Sequence, residues 1–166
     1  RFKPFNDVFD HHIGDLAIIA AAEMLSNFKR KSDVLGRVGG DEFLLLTSNV
    51  DEAEAELITQ RLREEFENLF IEVDLNKPIN LSPDQRKALN KDLYQEYTAN
   101  DLSEDDFLKL GMKIEKTSDK IKLYIGGSVG KAMIGADSKI NDLEISADKD
   151  RMDNKVYLEG YSRVPS

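Results

Sequence analysis

The segment Arg37-Val38-Gly39-Gly40-Asp41-Glu42-Phe43 sets two glycines directly before two acids. A Gly-Gly turn lets a ligand approach the backbone with no Cβ in the way. Acids just past such a turn offer hard oxygen donors, which suit magnesium when phosphates and water complete its shell. On a returning strand Asp41 and Glu42 point to opposite faces unless a bulge redirects one. Taken alone, the string also describes a solvated acidic hairpin tip. Further polar groups gather upstream, where Lys3, Asn6, His11 and Asp15 fall close together. Each has an ordinary reading of its own: Asn6 can cap a turn, Asp15 can cap a helix, and His11 and His12 can be loop histidines. Arg30 and Asp33 form an R-x-x-D, a string that is usually a helix-end salt bridge, and Lys155 alone reads as a solvated charge.

These residues need elements to position them. Residues 1–14 read as a strand end, a short helical turn and a loop, with Pro4 and Gly14 as breakers. Asp15 then stands as N-cap or first-turn acid before a helix that is apolar almost all round. Such a helix is expected to be buried on most of its surface, with Lys29, Arg30 and Lys31 in its last turn. Two β-type runs separated by Gly39-Gly40 predict a tight hairpin. A second helix is expected from Val50 to Phe70, with Ala55, Ile58, Leu62, Phe66 and Leu69 on one stripe.

Past residue 71 the chain changes character. Ser82-Pro83 looks like an N-cap followed by a proline at the first helical position. It opens a helix expected to carry Leu89, Leu93 and Tyr97 on one face. Ser103 opens a second capped segment, with Phe107, Leu110 and Ile114 on its stripe and Gly111 as a breaker. Ile121, Leu123 and Ile125 alternate as a strand, Ser128-Val129-Gly130 follows, and a last helix is expected from about Ile140 to about Glu159. Residues 75–118 therefore read as a peripheral helical insertion that a short linker would replace, within a single domain spanning 1–166.

Composition bounds the partners. The net charge of the 166 residues is −9, which argues against a general nucleic-acid binder. No apolar run approaches the length of a bilayer span, so no membrane contact is expected of this domain. There are no cysteines, which suits a reducing, cytoplasmic setting and excludes thiolate metal sites.

Taken together, Phe2-Lys3, Asn6-Asp7, His11, Gly14-Asp15 and the complete Gly39-Gly40-Asp41-Glu42-Phe43 resemble the GGDEF family of diguanylate cyclases, a bacterial signalling family. Ser128-Val129-Gly130 resembles that family's S-I-G strand, and Ala147-Asp148 with Lys155 resembles the A-D…K of its last helix. The resemblance implies an α/β fold: a palm-like, mostly antiparallel central sheet flanked by helices, as in nucleotidyl cyclases. It implies a nucleotidyltransferase that condenses two GTP into cyclic di-GMP with release of pyrophosphate, using magnesium or manganese. On that likeness Asn6 and Asp15 bond the guanine edge, Asp41 and Glu42 serve catalysis and the metal, Gly39 and Gly40 admit the ribose and phosphates, and Lys3 and Lys155 meet the phosphates. His11 also falls in the substrate-binding pattern. Arg30 and Asp33, the latter six residues before Gly39, match an inhibitory site for the product. Each half-site takes one GTP, so a homodimer is implied.

Some positions depart from the family pattern. The resemblance implies another metal-binding aspartate three residues before Arg1, in a strand expected upstream. Asp10 stands where the family usually has glycine. Lys155 lacks the usual glycine and arginine partner at the right offset, since Glu159 follows it. Residues of about 71–120 exceed the family's short connection. The rival reading is a catalytically weak domain that acts as a receptor for cyclic di-GMP through Arg30 and Asp33, or as a protein-interaction module.

Overall fold

The computed structural model describes residues 2–134 and the backbone of residues 155–161. In chain order the elements are α1 (Lys3–Val8), α2 (His11–Phe28), β1 (Val34–Gly39), β2 (Glu42–Ser48), α3 (Glu52–Asn68), β3 (Phe70–Asp74), β4 (Pro78–Ile79) and α4 (Pro83–Ala88). Then follow β5 (Tyr97–Thr98), a 3₁₀ turn (Ala99–Asp101), α5 (Glu104–Lys109), β6 (Ile114–Lys116), β7 (Lys120–Tyr124), β8 (Ser128–Ile134) and β9 (Lys155–Tyr161). The fold is the mixed α/β type expected, with helices and largely antiparallel sheets. It divides into two compact units, residues 1–21 with 68–125 and residues 22–67 with 126–166.

The first unit holds a three-stranded antiparallel sheet in the order β3-β7-β6 and a small β4-β5 ladder. Its core joins Phe5, Val8, Phe9 and Ile13 to Ile79, Leu102, Phe107, Met112, Ile121 and Leu123 by burial. The segment 75–118 is mixed rather than purely helical. α4 starts where Ser82-Pro83 signals, with a complete capping box between Ser82 and Gln85, and α5 starts with another between Ser103 and Asp106. The single stripe expected for Leu89, Leu93 and Tyr97 does not form, because α4 stops at Ala88 and Asn90 turns the chain at φ 53°. Leu89 ends buried at the cap, Leu93 is exposed, and Tyr97 is buried on β5. Gly111, at φ 81°, ends the second helical stretch, and Ile114 is buried on β6.

The second unit holds a four-stranded sheet in the order β1-β2-β9-β8. β2 alternates buried Phe43, Leu45 and Thr47 with half-exposed neighbours, the period-two pattern of a sheet with one covered face. α3 buries Ala55, Ile58, Thr59, Leu62 and Phe66, the stripe read from the sequence, and ends before Leu69.

Three expectations need correction. Lys155–Glu159 belongs to β9, paired parallel to β2 and β8, and not to a last helix. Val156-Tyr157-Leu158 and Tyr161 favour a pleated strand, and the family likeness had outweighed that local preference. The remainder of that expected helix, with Ala147 and Asp148, lies outside the described residues. The helix expected over residues 16–31 begins four residues before Asp15, at His11, and ends at Phe28 ahead of Lys29, Arg30 and Lys31. Its fully buried residues are Ile13, Gly14, Ala17, Ala21 and Leu25, one stripe, and Ile19 is half exposed at 51%.

Candidate nucleotide site

The hairpin is built on a two-residue loop. Gly39 pairs with Glu42, so the loop residues are Gly40 and Asp41 rather than Gly39 and Gly40. Gly40 has φ 24°, which a side chain rarely tolerates. The register slips between Arg37 and Gly39, a bulge that absorbs Val38. Arg37 Nε donates to the Gly40 carbonyl at 2.8 Å and closes the turn. Asp41 consequently sits in the loop and Glu42 opens β2, with both side chains half exposed.

The second group of polar residues sits where α1 turns into α2. Phe5 and Val8 anchor α1 in the core and leave Lys3 exposed. Asn6 lies on α1 facing the first turn of α2. Its Oδ1 is buried and has no hydrogen-bond partner. That oxygen packs so tightly on Gly14 that a Cβ there would overlap it. An orphaned buried acceptor costs free energy unless something completes it. Asp15 follows Gly14 on α2 and is exposed, as is His11 at the start of the helix. α2 is capped not by Asp15 but by Asp10, whose Oδ1 accepts the Ile13 N–H at 3.0 Å. Asp10 also pairs with Lys77 Nζ at 2.7 Å. The Lys77 hydrogen bond first, and the Ile13 N–H second, hold the Asp10 carboxyl below the ordinary aspartate range.

Arg30 and Asp33 are together but not as a salt bridge. Asp33 Oδ2 accepts the backbone N–H of Arg30 at 2.7 Å, and the Asp33 N–H returns a bond to the Arg30 carbonyl at 3.1 Å. Asp33 is buried at 7% exposure, so its carboxylate holds the turn while the Arg30 side chain is exposed. Lys155 opens β9 opposite Ser128.

Residues 1–82 match the family model described as diguanylate cyclase, GGDEF domain. These residues belong to the GGDEF family. The diguanylate cyclase DgcP of Escherichia coli is 35% identical over 80 residues, covering 47% of this chain and 24% of that protein. The bifunctional diguanylate cyclase/cyclic di-GMP phosphodiesterase MucR of Pseudomonas aeruginosa is 41% identical over 61 residues, 37% of this chain and 9% of its own. Diguanylate cyclase A of Treponema denticola is 31% identical over 81 residues, 49% of this chain and 22% of its own. The matched stretches thus span a quarter or less of these curated relatives. No solved structure matches the chain. Among the described residues no helix is long and apolar enough to cross a membrane.

Within these GGDEF-family residues, 1–82, the donor set can be tested against a divalent ion. Among the described residues no group of three or more His, Cys, Asp or Glu could hold a metal. Asp41 and Glu42 are neighbouring carboxylates at a hairpin tip with backbone access. Magnesium commonly binds through one or two carboxylates and keeps phosphates and water as its other ligands. The pair therefore fits an ion that arrives with a nucleotide, and not a closed protein cage. Sequence reasoning missed Asp10 and Asn80 as organisers of this region. An aspartate three residues before Ile13, at the head of an apolar run, was an available capping signal, and Asp15 obscured it.

Proposed function

We propose that this chain is a diguanylate cyclase domain that joins two GTP molecules into cyclic di-GMP, with magnesium or manganese held by Asp41 and Glu42. The observation that carries the reading is the hairpin: a two-residue Gly40-Asp41 loop that frees Asp41 from the ladder and sets Glu42 beside it. The bound ion would neutralise phosphate charge as pyrophosphate departs. Asp41 accepts the proton of a ribose 3′-hydroxyl as its oxygen attacks the α-phosphorus of the second GTP. Gly39 and Gly40 let ribose and phosphates lie on the turn, and Lys3 and Lys155 supply charge to phosphates.

Asn6 and Asp15 read guanine. The unpaired Oδ1 of Asn6 supports this role: turned out from Gly14, it would accept a guanine N–H. His11, exposed at the start of α2, borders the same base. Each chain presents one half-site, so catalysis takes place in a homodimer. Product inhibition at the R-x-x-D site then rests on the exposed Arg30 guanidinium, with Asp33 shaping the turn.

The test is incubation of the chain with GTP or ATP and magnesium, with the nucleotides resolved by chromatography. Cyclic di-GMP from GTP alone, lost in Asp41→Ala at an unchanged melting temperature, is the expected result. Wild-type turnover in Asp41→Ala would remove that residue from the chemistry. The same incubation with added cyclic di-GMP reads product inhibition.

A further inference from the structure

Two parts of the first unit meet at the α1–α2 corner: Asp10, which stands between the helices, and the segment 75–118. Lys77 of that segment pairs with Asp10. Its neighbour Asn80 grips the same corner twice: the Asn80 backbone N–H bonds the Val8 carbonyl, and Asn80 Nδ2 donates to the Phe9 carbonyl at 3.0 Å. Behind them Phe9 and Phe107 stack at 6.1 Å and 10°, both fully buried. Carbonyls at a helix end have no partner within the helix, so a buried end needs one from elsewhere. Here the insertion supplies it.

We infer that the insertion is a clamp on the α1–α2 corner, and that Asn80 and Lys77 are positioning residues for guanine recognition. The inference rests on the reading of Asn6 and Asp15 given above. Asn6 lies one turn before the clamped carbonyls on α1, and Gly14 and Asp15 lie just after the clamped Asp10 on α2. The angle between the two helices sets where the Asn6 oxygen stands relative to the Asp15 carboxylate. Residues 8–10 are the hinge of that angle, and the contacts of Lys77 and Asn80 land on all three of them. Folding of the insertion is thereby coupled to the affinity of a site to which it contributes no reading group.

The test uses the whole chain with Asn80→Asp, Lys77→Ala and Lys77→Arg, and Tyr94→Ser as an insertion variant far from the corner in chemistry, its side chain being 93% exposed. Asn80→Asp keeps the size of the side chain and removes the donor to the Phe9 carbonyl. Calorimetry should show GTP affinity about tenfold weaker in Asn80→Asp, the effect of one lost hydrogen bond to a buried group. Lys77→Ala should weaken it less, Lys77→Arg should restore it, and Tyr94→Ser should leave it unchanged. Amide exchange at Ile13 and Gly14 should quicken in Asn80→Asp while the global melting temperature holds. GTP affinity equal to wild type in Asn80→Asp and Lys77→Ala overturns the clamp and leaves the guanine reading standing. Failure of the wild-type chain itself to bind GTP overturns the guanine reading, and the clamp's role in recognition goes with it.

Discussion

At the scale of single residues, Gly14 separates function from stability. Replacing glycine by alanine inside a helix ordinarily stabilises it by about 1 kcal/mol. A Cβ at residue 14 would overlap Asn6 Oδ1, the far end of a side chain that can rotate away. Gly14→Ala should therefore leave the melting temperature unchanged or slightly raised. GTP binding should weaken all the same, because the displaced carboxamide leaves the first turn of α2, where the guanine reading needs it. Calorimetric titration with GTP, run beside a thermal scan, checks both signs. A variant that loses stability and keeps its affinity would show that Asn6 is a packing residue. The role of Gly14 was only half legible in the sequence. Its place in the G-D pair was visible, but the close approach of Asn6 arises from the crossing of α1 and α2, which no spacing encodes.

At the scale of elements, local chemistry was legible wherever it acts within one turn. The Ser82 and Ser103 capping boxes and the α3 stripe follow from side chains that bond or pack at offsets of three and four. The hairpin was legible as a hairpin and misplaced by one residue, because the Val38 bulge shifts the register before the loop. β9 was misread because its strand partners are β2 and β8, far away in the chain. The caps also carry a pH signature. The Thr98 backbone N–H and hydroxyl hold Asp101 below the ordinary aspartate range, with Lys91 and Lys116 adding charge. The Ser103 backbone N–H does the same for Asp106, with Lys91 and Lys109 nearby. Asp10 is lowered by Lys77 and Ile13, with His12 adding charge. A carboxyl with a depressed folded pKa gives stability that is fully present above its unfolded value, roughly pH 4 for aspartate, and is lost as pH falls through the folded value. Melting temperatures should be flat in this respect from pH 8 to 5 and fall below about pH 4. Asp106→Asn should show a shallower acid limb, and an identical limb would assign the acid sensitivity to other groups.

At the scale of the whole molecule, the question is whether residues 75–118 are an accessory or part of the frame. A peripheral insertion can be replaced by a short linker, as the sequence led one to expect. The burial pattern argues the other way. Phe107 and Met112 are fully buried in the unit that also holds Val8 and Phe9, and β6 is a strand of its sheet. Removal of the segment takes away the stacking partner of Phe9, the bonds to the Val8 and Phe9 carbonyls, and one neighbour of β7. Those apolar side chains and carbonyls would face water, and each uncovered large side chain forfeits about 1.5–3 kcal/mol. Several such losses approach the whole stability of an ordinary domain, about 5–15 kcal/mol. A chain carrying a Gly-Ser linker in place of 75–118 should therefore lose cooperative unfolding of this unit and bind a hydrophobic dye. Phe107→Ala is the milder probe, since a truncated core phenylalanine costs about 3–5 kcal/mol and leaves the backbone path intact. Denaturant unfolding measures that cost directly. A loss below about 0.5 kcal/mol, the size expected for a surface position, would mean that the stacked pair is not core and that the insertion can be dispensed with.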